Sequence, residues 1–451
     1  RPIALLNLSY KIIAKMIQNR LAEAMDTYID PQQYGFRKAK STSQPIFIYR
    51  RLLEIHEEAG LEMYTLLLDW EKAFDKVDQE RMIIILRRMG IPDPILRFIA
   101  NLYENPRFNV KDGSNRSTSR KQETGIRQGC PLSPYLFIIV MTAIMKDIYS
   151  NLTDEERNIV QKGRLDRTDQ NSLFYADDTL IMTTTADSAQ LTLHKIQMES
   201  DKYNLKLNQE KCCLLRLNAI STVQYLDGST VPMKDHAVYL GTHISANGNY
   251  HGEIGARIAS AYATFKRLDI FWKKARTSKK WRLRVFDSVI TTKLTYGLES
   301  ATISQGDRIK LDAFQIRGLR KIMGIKHSYY SRTSNKEVLE RANNVAYRKR
   351  NKEIKAISQT MDDRQITLFA HLIRASTDDG MRKISIDEQG RRIKAGHKRP
   401  GRPRLKWYDI VRGEVIDKLQ TDGILPTPWN THMNEEEMLQ VILDAANNRH
   451  I

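Results

Sequence analysis

The chain of 451 residues carries 72 Lys and Arg against 53 Asp and Glu, a formal charge of +19, and 41% of its residues are hydrophobic. That length suits two to four domains of roughly 100–200 residues each, and the apolar share excludes wholesale disorder. The charge is local: residues 1–250 hold 32 basic and 30 acidic side chains, whereas 251–350 hold 23 and 8. A polyanion-binding surface is thus expected beside a nearly neutral body. The three cysteines, Cys130, Cys212 and Cys213, make neither a disulfide framework nor a zinc set. The longest apolar run, 135–145, falls short of a membrane span of about 20 residues. No signal peptide is evident, and the opening at Arg1 inside an ordered-looking segment reads as a fragment. The expected setting is intracellular (nucleus and cytoplasm, if the source is eukaryotic).

In chain order, 6–25 places Ile12, Ile13, Met16, Ile17 and Leu21 at helical spacing, with Asn7 or Ser9 as N-cap. Residues 32–43 are a polar loop. The run 61–70 is continuously apolar and ends at a carboxylate, as a buried strand would. A helix is expected over 78–92, capped by Asp78, ended by Gly90 and kept from resuming by Pro92. Then come a turn-rich loop or hairpin (111–125), an apolar helix (131–149) and a polar surface loop (151–171). Residues 172–185, rich in aromatic, Ile and Thr side chains around Asp177 and Asp178, read as two strands joined by a tight turn. A helix starts at Asp187 and runs to about 203; 211–218 and 237–245 are further strands. From 251 to about 350 the pattern is helical and basic. This order predicts an α+β body followed by helices.

Asp is depleted from strands, so Asp69, Asp177 and Asp178 at the ends of apolar runs need a reason. Carboxylates gathered together repel one another and resist desolvation unless cations neutralise them. Mg²⁺ suits one or two carboxylates plus substrate phosphates. An isolated Asp-Asp turn is more often structural than catalytic; the surrounding motifs reverse those odds.

LLLDWEKAFDKVD (66–78), GIRQGCPLSPYLF (125–137) and FYADDTLIM (174–182), in that order, resemble the palm motifs of reverse transcriptases. Their wording resembles the non-LTR, LINE-type retrotransposon branch. RPIALL (1–6), YGFRKAKST (34–42), NLKLNQEKC (204–212) and YLGT (239–242) extend the resemblance to roughly 1–350. It implies a right-hand polymerase: partial fingers over 1–60, a palm with an antiparallel sheet over 61–250, a basic helical thumb over 251–350 and a mostly helical C-terminal extension over 351–451.

The resemblance further implies RNA-directed DNA synthesis with two Mg²⁺ ions (Mn²⁺ as a substitute) about 3.5–4 Å apart. Asp69 and Asp177 would be the principal ligands, with Asp178 and the carbonyl of Trp70 in support. Phe74 would exclude a 2′-hydroxyl, and Gln128 and Gly129 would lie beside the incoming nucleotide and template base. Arg1 would face the triphosphate, and Arg37 and Lys38 phosphate or template. Lys211 would protonate the leaving pyrophosphate, and a hairpin at Tyr239, Leu240 and Gly241 would grip the primer end, chiefly through its backbone. The implied partners are an RNA template, a DNA primer or nicked target DNA, and dNTPs. Plainer readings stand beside these: Phe74 as a core aromatic and Lys211 as an exposed helix-end cation. The basic segment HKRPGRPRLKW (397–407) resembles both an AT-hook and the end of LINE-type polyproteins, and as a bare sequence is a solvated linker. No endonuclease or RNase H carboxylate set is evident. The alternatives are a truncated, catalytically inactive RNA-binding relic and a maturase-like RNA-binding protein.

Overall fold

The computed structural model describes residues 3–165, 171–273, 276–347, 352–394, 404–425 and 435–448. They form two compact units, one of Arg1–Pro45 with Leu61–Asp235, the other of Ile46–Gly60 with His236–Ile451. The first unit opens with α1 (Leu8–Met25), whose first turn is capped by Asn7, its side chain accepting the Tyr10 N–H at 2.7 Å. Leu21 and Met25 enter the core, whereas Ile12, Ile13 and Met16 stay exposed. The next long helix, α2 (Ser43–Ala59), belongs to the second unit from Ile46 onward.

The sheet of the first unit is built around β1 (Met63–Leu68), every residue of which is buried. A strand covered on both faces needs no polar face, hence its unbroken MYTLLL sequence. β2 (Ser172–Tyr175) and β3 (Asp178–Thr183) are the expected hairpin, and β4 (Cys213–Leu217) completes the antiparallel order β2-β3-β1-β4. The apolar helix α3 (Ser133–Ser150) is buried continuously from Tyr135 to Met145 and packs against α4 (Ala186–Asp201). No single helix among the described residues is long and apolar enough to cross a membrane.

Three local expectations are corrected. The polar stretch after α3 is not all loop: Asp154–Lys162 is helical, started by a capping box in which Thr153 and Glu156 satisfy each other's backbone N–H groups. The N-cap of α4 is Thr185, not Asp187. Residues 237–245, a strand by pattern and a hairpin at 239–241 by resemblance, are the hairpin of β5 (His236–Tyr239) and β6 (Thr242–Ser245) rather than one strand. Its two-residue turn holds Leu240 and Gly241 at φ 48° and 74°, the left-handed pair that fits a twisted hairpin.

The second unit contains this hairpin and the helices α5 (His251–Arg267), α6 (Gln305–Met323), α7 (Ile357–Arg374) and α8 (Trp407–Thr421). Arg50 of α2 is buried within it, donating to Glu253 at 2.6 Å, Ser300 at 2.7 Å and the Gly297 carbonyl at 2.5 Å. Phe47 meets Trp407 edge-on, ring centroids 5.0 Å apart. In this division residues 46–60 join the later helices, and 251–350 shares one unit with the helices α7 and α8.

Candidate active site

β1 and β3 pair antiparallel up to Leu68 opposite Thr179. Asp69 follows Leu68 and Asp178 precedes Thr179, so the register brings these two carboxylates to the same end of adjacent strands. Asp177 is one residue further, in the two-residue turn between Tyr175 and Asp178. Ala176, the other turn residue, has φ 59°, a left-handed conformation that costs a non-glycine residue energy and needs support.

The support comes from Gln33, a buried residue bridged in parallel to Phe174. Its side-chain oxygen accepts the Ala176 N–H at 2.9 Å and the Gly35 N–H at 2.8 Å. A Cβ on Gly35 would lie 2.4 Å from the Ala176 nitrogen, so this close approach requires glycine. The Trp70 indole donates to the Thr179 hydroxyl at 3.1 Å, and that hydroxyl donates to the Asp177 carbonyl at 3.3 Å. The side chain of Trp70 thereby ties the end of β1 to the Asp177 turn.

The segment after α4 closes the other side. The Asp69 carbonyl accepts the Asn208 N–H at 2.8 Å, and its N–H points at the Cys212 sulfur at 3.4 Å. Burial pushes the Cys212 thiol up, keeping it an uncharged neighbour. The same segment sets the Lys211 ammonium 3.6 Å from the Asp69 carboxylate. Sequence reasoning found the carboxylates and Lys211 but not Gln33, Gly35 or the Trp70 indole. YGF was the visible trace of the Gly35 approach.

With this geometry stands a family match: the model described as "Reverse transcriptase (RNA-dependent DNA polymerase)" covers residues 1–244. The chain belongs to the reverse transcriptase family. Its similarities lie with the non-LTR, LINE-type branch. The Pol polyprotein of retrotransposable element R2DM of Drosophila melanogaster is 24% identical over 69% of this chain and 29% of its own length. The RNA-directed DNA polymerase of mobile element jockey of Drosophila funebris is 24% identical over 74% of this chain and 36% of its own. A 149 kDa transposon TX1 protein of Xenopus laevis is 31% identical over 34% of this chain and 12% of its own. The chain thus spans well under half of each of these relatives. Among solved structures, a telomerase of Candida tropicalis aligns with 84% of this chain and 56% of its own at 12% identity, TM-score 0.41.

The remaining candidate site residues divide clearly. Phe74 is half-buried, one face stacked on Phe137 with ring centroids 4.4 Å apart and planes at 16°. Gln128 donates to Asp75 at 3.1 Å, and the Phe74 carbonyl accepts the Ile126 N–H, so the motifs at 66–78 and 125–137 lie side by side. Gly129, at φ 109°, would carry a Cβ 2.7 Å from the Ala4 carbonyl oxygen. Its close approach is therefore to the chain's own opening segment. Arg37 is held in a two-pronged pair with Asp26 at 2.9 and 3.0 Å, and also donates to the carbonyls of Asp26, Asp30 and Gln33. Lys38 is exposed. Arg1 lies outside the described residues, as does most of the basic segment at 397–407. Tyr239, Leu240 and Gly241 belong to the second unit, where the Tyr296 hydroxyl donates to the Leu240 carbonyl at 3.0 Å and Arg257 to the Gly241 carbonyl at 2.8 Å.

Proposed function

We propose that this chain is the polymerase portion of a non-LTR retrotransposon protein, copying an RNA template into DNA from a primer 3′-hydroxyl that nicked target DNA supplies. In this reading the first unit provides the palm and partial fingers, the β5–β6 hairpin the primer grip and the basic helices from 251 the thumb. The observation that carries it is the register of β1 against β3, which sets Asp69 beside the Asp177–Asp178 turn at one sheet end.

The donor set fits divalent cations. Carboxylate oxygens are the hard ligands that Mg²⁺ and Mn²⁺ prefer, and a lysine ammonium is already drawn to Asp69. Among the described residues no three His, Cys, Asp or Glu side chains form a ready cage. Asp69, Asp177 and Asp178 would hold two such ions, which when bound polarise the attacking and leaving oxygens of phosphoryl transfer. Lys211, beside Asp69, would donate a proton to the departing pyrophosphate. Phe74, braced from behind by Phe137, would present bulk where a ribose carries its 2′-hydroxyl. Gln128, oriented by Asp75, would address the nucleotide, with Gly129 letting that segment pack against Ala4. Arg37 is fully engaged by its own loop, and we assign it to bracing that loop rather than to phosphate.

The test is primer extension on poly(rA)/oligo(dT) with dTTP and Mg²⁺. Asp69→Ala and Asp177→Ala each reduce extension by at least about a hundredfold, the scale of losing a principal transition-state contact. Template-primer affinity stays within about threefold, as expected of residues outside the phosphate contacts. A variant that extends at near the parent rate would falsify the assignment. The parent's binding without extension would favour the second reading, an RNA-binding protein in which the Lys211–Asp69 ion pair holds the ligand position closed.

A further inference from the structure

Within the helices from 251 that the polymerase reading assigns to the thumb lies a surface to which that reading gives no separate role. Tyr329 and Tyr330 lie side by side, 70% and 74% exposed, their rings perpendicular with centroids 5.2 Å apart. Two neighbouring aromatics left in water forgo the burial that usually rewards them, and such a pair marks a contact surface. The exposure is not fraying. Arg320, itself buried, donates to the Lys326 and Thr333 carbonyls at 3.0 and 2.7 Å and so pins both ends of the loop. Arg332 holds φ 53°, strained for a side-chain-bearing residue, with its guanidinium 5.8 Å from the Tyr329 ring centre.

The surroundings fix the sign of the partner. Between Asp312 and Glu337 the sequence has six Lys and Arg and no acid. Of these, Lys326 and Arg332 flank the tyrosines and are exposed. Lys279 adds its ammonium at the loop's entrance, donating to the Met323 carbonyl at 2.9 Å. Flat exposed rings interleaved with cations match one chemistry: a polyanion whose repeating unit carries a planar face.

We propose that residues 325–333 form a base-stacking platform for unpaired nucleic acid, with Tyr329 and Tyr330 receiving bases and Lys326 and Arg332 the adjoining phosphates. The platform rests on the reading that this chain handles nucleic acid, and adds to it a separate contact for single strands. It reads no base edge, so it discriminates stacked from unstacked strands rather than sequence.

The experiment measures binding of the full chain to four 15-nucleotide probes: oligo(rU), oligo(dT), an abasic DNA strand and a blunt duplex. The double variant Tyr329→Ala/Tyr330→Ala weakens binding to both base-bearing single strands roughly 10- to 100-fold, with the salt slope unchanged. It leaves the abasic strand and duplex within twofold, and Tyr329→Phe/Tyr330→Phe binds like the parent. Lys326→Ala lowers the salt slope by about one on all four probes. Unequal losses on oligo(rU) and oligo(dT) identify the strand the platform takes. Equal losses on all four probes, no loss on any, or full competition by polyglutamate overturns the platform. If the parent binds template-primer and extends it while the tyrosine variants bind every probe normally, only the platform fails. A parent that binds no probe overturns the platform, and the polymerase reading falls with it only if that parent also fails to bind and extend template-primer.

Discussion

Asp69 and Lys211 stand 3.6 Å apart with 41% and 65% of their side chains exposed, whereas Arg50 and Glu253 stand 2.6 Å apart with 1% each. The first pair sits at a sheet end in water, where an ion pair is worth about 0–1 kcal/mol and yields readily to a better ligand. The second is dry and shared: Arg257 is also 3.6 Å from Glu253, and burial pulls its guanidinium below the usual range. The carboxylate at the sheet end is thus half-exposed and loosely paired, and the one beside Arg50 is locked into the fold. The difference teaches which acids remain available for chemistry.

The sharpest way to break that contrast is to remove one acid from each unit. Glu253→Ala leaves two buried arginines without their carboxylate, though still bonded to neighbouring oxygens, and should lower stability by about 3–5 kcal/mol. Asp69→Ala should lower stability by less than about 1 kcal/mol while abolishing extension. Denaturant unfolding of both variants, read against extension, checks the pair; equal stability losses would erase the distinction.

Phe74 lies between the two extremes, half-buried with one face stacked on Phe137. Phe74→Val should raise the rNTP-to-dNTP incorporation ratio at least about tenfold, the order expected for relief of a steric exclusion worth 1–3 kcal/mol. An unchanged ratio in single-nucleotide extension would leave Phe74 a core aromatic alone.

The smallest expected effect concerns Glu414 of α8, paired at 2.7 Å with Arg308 of α6, which also holds Asp362 of α7. Burial, then the neighbouring Asp362, raises the Glu414 carboxyl from 4.5 to about 7. A group that binds its proton more tightly when folded favours the fold at low pH, so its contribution fades as pH rises from about 4.5 through 7. Glu414→Gln should flatten the fall in Tm across that window; an unaltered slope would show that Arg308 already compensates the charge.

Much of the first unit was legible because its signals are local. The run 61–70 gave β1, the turn-flanked 172–185 gave the hairpin, and Asp78 gave a cap. The capping box at Thr153 and Glu156 was equally local but lay in a stretch too polar to be taken for a helix. The hairpin at Tyr239–Gly241 was legible only through the resemblance, since leucine at positive φ is not by itself a turn signal. Gln33 and Gly35 were opaque for another reason: their partner, Ala176, is distant in sequence and only the folded sheet brings it near. The same holds for Arg50, whose periodic helix disclosed no hint that Glu253 would claim it.

The central claim is that the end of β1 and the turn after β2 share divalent cations. Iron-directed backbone cleavage tests it most directly: Fe²⁺ replaces Mg²⁺ on the chain bound to template-primer, and ascorbate and peroxide start the reaction. The account predicts scission at both 69–71 and 176–178, suppressed by excess Mg²⁺ and lost in Asp69→Asn. Scission at one of these segments alone, or at neither, would contradict it.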